Sequence, residues 1–335
     1  MPERVRRFAR THEGRLLAVT VALAIILSLT TRNFLSVQNG IDLLTSYAFS
    51  GMLAAGLVVV LVAGGIDISF TAVASIAQYL AVAAASRYDI GWFGLFAVAL
   101  GTGTLLGILN AVLVTTLRIA SIIVTVAMLN VYYGALMFLS GGNPINTLPG
   151  WYLDGLAWVV GTDAQGNPYI INMQMLGLVL SFLLSWILLN RTSVGRQLRA
   201  LGGNPEAAKR VGFNIMRLNM VAYGFMGFSA GLASLVQAQV SGSVVPNMLV
   251  GRELDVLAAV VLGGASLTGG VGTVLGTALG LALLAILQNG LILLGVSSFW
   301  ADCFTGAVFL LAVTMIAWER RRQRSATRRV IGATA

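Results

Sequence analysis

Charge is scarce in this 335-residue chain. Asp, Glu, Lys and Arg make up only 10% of the residues, against about a quarter in soluble domains. Apolar residues make up 57%, and a soluble fold could neither bury that much apolar surface nor cover it with so few charges. The same composition excludes an intrinsically disordered chain. It predicts an all-α polytopic membrane protein.

Cysteine and histidine are almost missing. Cys303 is the only cysteine and His12 the only histidine, which excludes a disulfide framework and a cluster of metal ligands. We expect Cys303, which lies in an apolar run, to be a buried and inert thiol. We expect His12 to be solvated within a basic N-terminal arm. The sequence predicts neither a metal site nor a cofactor bound by this chain.

Three motifs of common enzymes are missing as well. The chain has no GxxxxGK[ST] phosphate-binding loop, no HExxH and no CxxC, so we expect no catalysis and no ATP binding by this chain itself. Ionisable residues are also missing from the middle of the predicted spans, which argues against a proton-driven transporter. A sodium-driven transporter that coordinates its ion through backbone carbonyls stays open.

Long apolar runs are what the sequence does contain. A helix that crosses a bilayer needs about 20 largely apolar residues. Such runs predict about ten spans, at 15–31, 42–63, 68–86, 91–116, 119–139, 171–190, 217–240, 254–268, 271–288 and 301–318. The eighth run meets Gly263-Gly264 directly after its apolar core, so we predict that this helix is short or broken.

Basic residues predict the orientation of these spans. Of the 21 lysines and arginines, all but Arg32, Arg87 and Arg252 fall on one side of ten alternating spans. The positive-inside rule then places both termini in the cytoplasm, and it explains the net charge of +9 without a nucleic-acid partner. The predicted organisation is a cytoplasmic basic arm at 1–14, a single transmembrane domain at 15–318 and a cytoplasmic basic tail at 319–335.

Two connecting loops are long enough to carry structure. The outer loop, 141–170, contains tryptophan and tyrosine side chains suited to the level of the lipid headgroups, and we expect a short interfacial helix at 150–159. In the inner loop, 191–216, Asn204 and Pro205 can begin a short helix. Because Gly212 can end it, we predict about two helical turns lying parallel to the membrane.

Two glycine pairs stand in similar settings. Residues 60–65 and 260–264 each run from valine and leucine into a glycine pair, Gly64-Gly65 and Gly263-Gly264. Glycine-interrupted apolar segments in corresponding places point to a transport pathway, although chance similarity stays open in a chain with 39 glycines. Asp67 follows the first pair and can cap the third span or mark a hinge.

Polar side chains within the spans are candidates for a hydrophilic path. Each could equally hydrogen-bond a neighbouring helix, which is the commoner use of such residues. The candidates are Gln78, Asn110, Asn130, Tyr133, Gln174 and Gln237.

Six stretches together resemble the permease subunit of bacterial ABC importers for monosaccharides, the branch of the ribose, xylose, arabinose and autoinducer-2 permeases. They are LVAGGIDIS (61–69), GILNAVLV (107–114), IIVTVAMLNVYYG (122–134), VGRQLRALGGNPEAAKRVG (194–212), ELDVLAAVVLGGASLTGGVGTVLGT (253–277) and LQNGLILLGV (287–296). They follow the order of the family and are spread over residues 50–310.

The resemblance implies a multi-pass protein of the bacterial inner membrane that works with other chains. It implies a second permease subunit, identical or not, a cytoplasmic ATPase that binds ATP-Mg, and a periplasmic binding protein that delivers the solute. Segment 203–212 matches the motif that couples the permease to the ATPase. The matching positions are Gly203, Asn204, Glu206, Ala207, Arg210 and Gly212.

Further functions stay open at this stage. The chain could instead be a permease for branched-chain amino acids or nucleosides, since these share the broader superfamily. An ion-coupled secondary transporter is an alternative from a different class. Charged residues at the outer span ends are candidates for docking the binding protein. They are Arg32, Arg87, Asp89, Asp154, Asp163, Arg252 and Glu253.

Overall fold

A computed structural model describes residues 11–31, 33–162 and 168–297, together with residues 300, 303, 304, 306, 307, 310 and 314. Helices dominate these residues. In chain order they are α1 (His12–Thr30), α2 (Val37–Ser46), α3 (Ala48–Val62), α4 (Phe70–Arg87), α5 (Gly91–Leu117), α6 (Ser121–Ser140), α7 (Gly150–Leu153), α8 (Met173–Trp186), α9 (Ser193–Gly203), α10 (Pro205–Arg210), α11 (Ile215–Ser241), α12 (Glu253–Leu262) and α13 (Val274–Leu293). A π-helical turn, Ile187–Arg191, extends α8.

The helices confirm an all-α polytopic membrane protein. Six of the described helices are long and apolar enough to cross a membrane, and the bent pair α2–α3 can form a seventh span. The eighth predicted span is short as expected, because α12 ends at Leu262, directly before the glycine pair. The tenth predicted span, 301–318, lies largely outside the described residues. The number of spans and the side on which the termini lie stay predictions.

The second predicted span, 42–63, is two helices rather than one. Helices α2 and α3 meet at Tyr47 with a bend of 53°. Every described residue of α3 except Ser50 is buried, whereas α2 buries none. The polar residues Gln38, Asn39 and Asp42 are unsuited to the apolar interior, which fits the absence of buried residues in α2.

The outer loop differs from the prediction of a helix at 150–159. The helix α7 spans only Gly150–Leu153, and the loop continues as an antiparallel hairpin of β1 (Ala157–Thr162) and β2 (Pro168–Asn172). Valine, isoleucine and aromatic residues in both segments favour strands over a helix. We call the side of the molecule that carries this hairpin the hairpin face, and the opposite side, with α9 and α10, the basic face.

Helix α11 lies at the centre of the bundle and packs most extensively on α5. Gly103 and Gly107 of α5 meet Gly227 and Gly231 of α11, and a Cβ at Gly231 would lie 2.5 Å from the Ala99 carbonyl oxygen. The two backbones are therefore in direct contact, as between helices that associate within membranes.

One stretch of α11 has the GxSxG spacing of hydrolases. It is Gly227–Gly231, with Ser229 in the middle. Ser229 is buried within a regular helix and not on the strand-to-helix turn that exposes a hydrolase nucleophile. The two glycines serve the packing against α5.

Candidate functional site

Each of the two glycine pairs forms a turn, and the two turns have the same backbone geometry. Each ends a helix as a Schellman motif, with φ of +91° at Gly64 and +92° at Gly264. The closing hydrogen bonds join Gly65 N to Val60 O at 3.1 Å and Ala265 N to Val260 O at 3.2 Å. Residues 60–65 and 260–264 therefore share a backbone geometry as well as a sequence pattern, and the link of this pattern to a transport pathway stays a prediction.

The predicted short helix of the inner loop is present as α10. The Asn204 side chain accepts a hydrogen bond from Ala207 N at 3.0 Å, Pro205 takes the first helical position, and Gly212 follows the helix with φ of +86°. Ala208 is the only buried residue of α10. The predicted coupling residues form an exposed surface: Gly203, Asn204, Glu206, Ala207, Arg210 and Gly212.

Helix α9, which precedes α10, packs on the first glycine turn and on the loop after the second through four glycines. These are Gly64, Gly202, Gly269 and Gly270, and we call them the glycine junction. A Cβ at Gly269 would lie 2.5 Å from Gly64 Cα and 2.6 Å from Gly202 O. Gly270 N donates to Val62 O at 3.0 Å. Backbone therefore touches backbone where the end of α9 meets the end of α3 and the loop that follows α12.

The loop after α12 is held by side chains from two other parts of the chain. Arg199 of α9 donates from Nη1 to Gly272 O at 2.9 Å. At the start of α1, His12 Nε2 donates to Leu262 O at 3.0 Å, and Thr273 donates to Glu13 at 3.0 Å. The expectation of a freely solvated His12 is wrong, because this side chain packs against the second glycine turn.

The first glycine turn is followed by a buried polar network. Asp67 Oδ1 accepts hydrogen bonds from Ser69 N at 2.8 Å and Ser69 Oγ at 2.7 Å. Asn110 donates to Ser69 Oγ at 2.7 Å, and Tyr132 donates to Asn110 at 2.9 Å. Asp67 is 1% exposed, so it does not cap an exposed cytoplasmic turn. It orders the residues directly before α4 from inside the protein.

A second group of polar side chains lies inside the bundle, and we call it the polar seam. It consists of Thr71, Ser75 and Gln78 of α4, with Tyr133 of α6 and Glu253 of α12. The three α4 residues are spaced i, i+4, i+7, which places them on one helix face. Thr71 donates to the Glu253 carboxylate. In the described part of the chain, neither amide atom of Gln78 nor the Tyr133 hydroxyl has a hydrogen-bond partner.

The seam unites two of the predicted path residues, Gln78 and Tyr133, with three that the sequence analysis missed as path residues. The spacing of Thr71 and Ser75 relative to Gln78 is the signal that could have identified the α4 face. Glu253 had been placed at the outer surface as a docking residue. That prediction is wrong, because Glu253 is 6% exposed and bonds to Thr71.

The other predicted path residues are dispersed. Asn110 belongs to the Asp67 network, and Gln174 donates to Gln239 at 3.0 Å. Gln237 donates to Ser241 at 2.9 Å. Asn130 bonds to the Val126 carbonyl within its own helix and is exposed on α6. Their role in a path stays a prediction.

Cys303 is exposed, so the expectation of a buried thiol is wrong. An apolar run in a membrane protein can face lipid as well as the protein core, and the sequence run alone does not distinguish the two. Among the described residues, no group of three or more His, Cys, Asp or Glu could hold a metal ion.

Comparison with known proteins places the chain in a family. Residues 39–313 match the family described as branched-chain amino acid transport system / permease component. The chain is 34% identical over 307 residues to the ribose import permease protein of Escherichia coli K12, covering 89% of this chain and 91% of the relative. It is 35% identical over 297 residues to the ribose import permease protein of Bacillus subtilis 168, covering 88% and 89%.

A third relative is the L-arabinose ABC transporter permease protein of Azospirillum brasilense, 33% identical over 309 residues, which covers 92% of this chain and 88% of the relative. No solved structure matches the chain. The family match covers most of the sequence, including both glycine turns and α10. The chain therefore belongs to the family of permease components of these import systems, the transport subunits that span the membrane.

Proposed function

We propose that this chain forms the translocation path of an ATP-driven importer for a simple sugar, polyol or related small hydrophilic solute. The support is its membership of the family, together with relatives named for ribose and arabinose transport. The chain itself contains no phosphate-binding loop, so ATP-Mg is bound and hydrolysed by a separate ATPase chain. A second permease subunit, identical or not, completes the path.

The glycine junction is the observation that carries this proposal. Helix α10 presents an exposed surface on the basic face, and α9 connects that surface directly to the end of α3 and to the loop that follows α12. A force applied to α10 by a closing ATPase reaches α3 and the loop after α12 through backbone contacts. The exposed residues of α10 and of its two ends, from Gly203 to Gly212, are the ATPase contact in this proposal.

The proposal assigns the two faces of the molecule. The basic face lies in the cytoplasm, which agrees with the positive-inside rule. The hairpin face then receives the solute from a periplasmic binding protein. The polar seam, with its unpartnered Gln78, is the hydrophilic part of the interior, because buried polar groups in a membrane need water, solute or protein partners.

Purification of the tagged chain from its native membrane tests the ATPase assignment. We expect an ATPase chain to co-purify in stoichiometric amount. The variant Ala207→Glu adds a charge and bulk at an exposed position of α10 and should abolish recovery of the ATPase and uptake. The matched control, Ala157→Glu, makes the same change at an exposed position of the hairpin and should leave ATPase recovery unchanged.

Two results would contradict parts of this proposal. Normal uptake by an inserted Ala207→Glu variant would contradict the coupling role of α10. A lone permease that catalyses uptake sensitive to an uncoupler would identify an ion-coupled secondary transporter instead. Competition for uptake by D-ribose and D-xylose, but not by L-leucine, separates the sugar function from branched-chain amino acid transport.

A further inference from the structure

A cavity of about 380 Å³ opens between α2, the first turn of α12 and the latter part of α13. Its volume falls in the range of about 300–1,000 Å³ typical of small-molecule sites. Asn172, at the end of β2, donates to Thr45 of α2 at 2.8 Å, which places the cavity at the hairpin face. Glu253 of the polar seam and Asp255 of the cavity are two positions apart on α12, about 200° around the helix, so the cavity is separate from the seam.

Three charged side chains line the cavity: Asp42, Arg252 and Asp255. The Arg252 guanidinium lies 5.6 Å from the centre of the Phe49 ring, in a cation–π contact. Asp42 accepts a hydrogen bond from Gln38 at 2.8 Å. Neighbouring protein groups therefore hold a cation and a carboxylate of the cavity in place.

Uncharged polar side chains line the remaining polar surface. Tyr47 donates to Gln288, and Asn289 exchanges two amide hydrogen bonds with Asn39 at 3.1 and 2.9 Å. The hydroxyl groups of two serines, Ser46 and Ser50, also line the cavity. Because these amides already bond to their neighbours, the polar lining is largely formed before any solute arrives.

We propose that this cavity is a binding site of the permease itself for a neutral polyhydroxylated solute of monosaccharide size. Carboxylates accept hydrogen bonds from sugar hydroxyls, the arginine donates, and the amides do both. Apolar side chains such as Leu281 and Leu284 suit the C–H surface of a sugar ring. The inference rests on the proposed import function, and it adds a point of selection within the membrane subunit.

The balance of groups favours a polyol over the alternatives. Two carboxylates against one arginine disfavour an anionic solute. A zwitterionic amino acid could pair with Arg252 and one carboxylate. Its apolar side chain would then displace water from the hydroxyl groups of Ser46 and Ser50 without replacing the lost hydrogen bonds, which is costly.

The single cysteine of the chain makes a direct test possible. In a Cys303→Ser background, Ser46→Cys places a reactive thiol in the cavity wall. Gly40→Cys is the matched control on the same helix, because Gly40 is exposed, is not part of the cavity lining and has nothing within 4 Å of an added Cβ. A water-soluble maleimide labels each variant of the permease, purified from its own membrane with its accompanying chains.

We expect D-ribose or D-xylose to slow the labelling of Ser46→Cys and to leave Gly40→Cys unchanged. At ten times the dissociation constant the rate should fall about tenfold, because only the unoccupied fraction reacts. Adding Asp255→Asn or Asp42→Asn should raise the sugar concentration for half-protection by about tenfold, since hydrogen bonds to charged groups are lost.

Two results would overturn the proposal. If none of D-ribose, D-xylose and L-arabinose protects Ser46→Cys while the Cys303→Ser importer still takes up one of them, the cavity is no solute site and the import function stands. Protection by L-leucine instead of the sugars would contradict the polyol assignment. Absence of sugar uptake by the unmodified importer would contradict the proposed function itself.

Discussion

The two glycine turns share one backbone geometry but differ in what surrounds them. The first leads into Asp67 and a buried network that joins α4, α5 and α6. The second leads into a loop in which Leu267 is 41% exposed and which Arg199, His12 and Glu13 hold from outside. The residues that follow the first turn, from Asp67 onwards, belong to the core, whereas the loop that follows the second turn is held at its edge by side chains from other segments.

The difference indicates which of the two turns, the one after α3 or the one after α12, moves more easily. A buried network that satisfies its own polar groups resists rearrangement, because each exposed group would lose a partner in a low-dielectric interior. Contacts at the protein surface can exchange with water at little cost. We therefore expect the turn after α12 to move when α9 moves, and the turn after α3 to serve as its support.

The largest effect should come from the junction that both turns share. In Gly202→Ala, the new Cβ would collide with Val62 O and lie 2.5 Å from Gly270 N, and backbone atoms cannot give way as side chains do. We expect a loss of about 3 kcal/mol or more in the free energy of unfolding, measured as a lower midpoint of thermal inactivation, together with loss of uptake. Gly203→Ala is the control for stability, because nothing lies within 4 Å of an added Cβ there. A Gly202→Ala variant as stable as Gly203→Ala would remove the basis of the comparison.

The next largest effect should lie in the first turn. Asp67→Ala removes the acceptor of two hydrogen bonds from Ser69 and should cost about 2 kcal/mol of stability. Asp67→Asn keeps a carbonyl oxygen as acceptor and should lose about half as much. Thermal inactivation in detergent measures both. Equal losses in the two variants would show that space, and not hydrogen bonding, sets the role of Asp67.

A smaller effect on stability, but a visible effect on transport, should follow at the second turn. Arg199→Met removes the bond to Gly272 O and should cost about 1 kcal/mol, because the side chain lies near the surface. We expect uptake per ATP hydrolysed to fall, since α9 loses one link to the mobile loop. Arg196→Met, at an exposed position of the same helix, should leave that ratio unchanged. If Arg199→Met destabilises as strongly as Asp67→Ala, the two turns are equally rigid.

The smallest effect should come from His12. His12→Ala removes a hydrogen bond to Leu262 O and should cost about 1 kcal/mol or less. His12→Gln retains a side-chain N–H donor and should restore much of that loss. The comparison of melting midpoints is the measurement, and a loss in both variants beyond that of Arg199→Met would reverse the predicted order.

Local signals predicted much of this structure. Asn204, Pro205 and Gly212 define the start and end of α10 through chemistry that acts within a few residues, so the helix followed from the sequence. The glycine pairs identified both turns for the same reason. The runs of apolar residues gave most of the long helices, with α12 correctly recognised as short.

What the sequence could not reveal depends on contacts between distant segments. Gly202 and Gly269 are in contact although 67 positions separate them in the chain, and His12 contacts Leu262 although 250 positions separate them. No local sequence pattern predicts either contact. The sequence predicted an exposed Glu253 and a buried Cys303, whereas Glu253 is buried and Cys303 is exposed. A charge near a span end can turn inward, and an apolar residue can face lipid, so hydropathy does not decide burial in a membrane.

The glycine junction also has a mechanical consequence. Side chains that lie between two moving segments reduce the displacement that is passed on, because they change rotamer. In the glycine junction the main chains of three segments touch with no side chain between them. Little such compliance remains there, and close-packed atoms transmit strain. If α9 moves during transport as proposed, we expect its shift to reach the end of α3 and the loop after α12 with little loss.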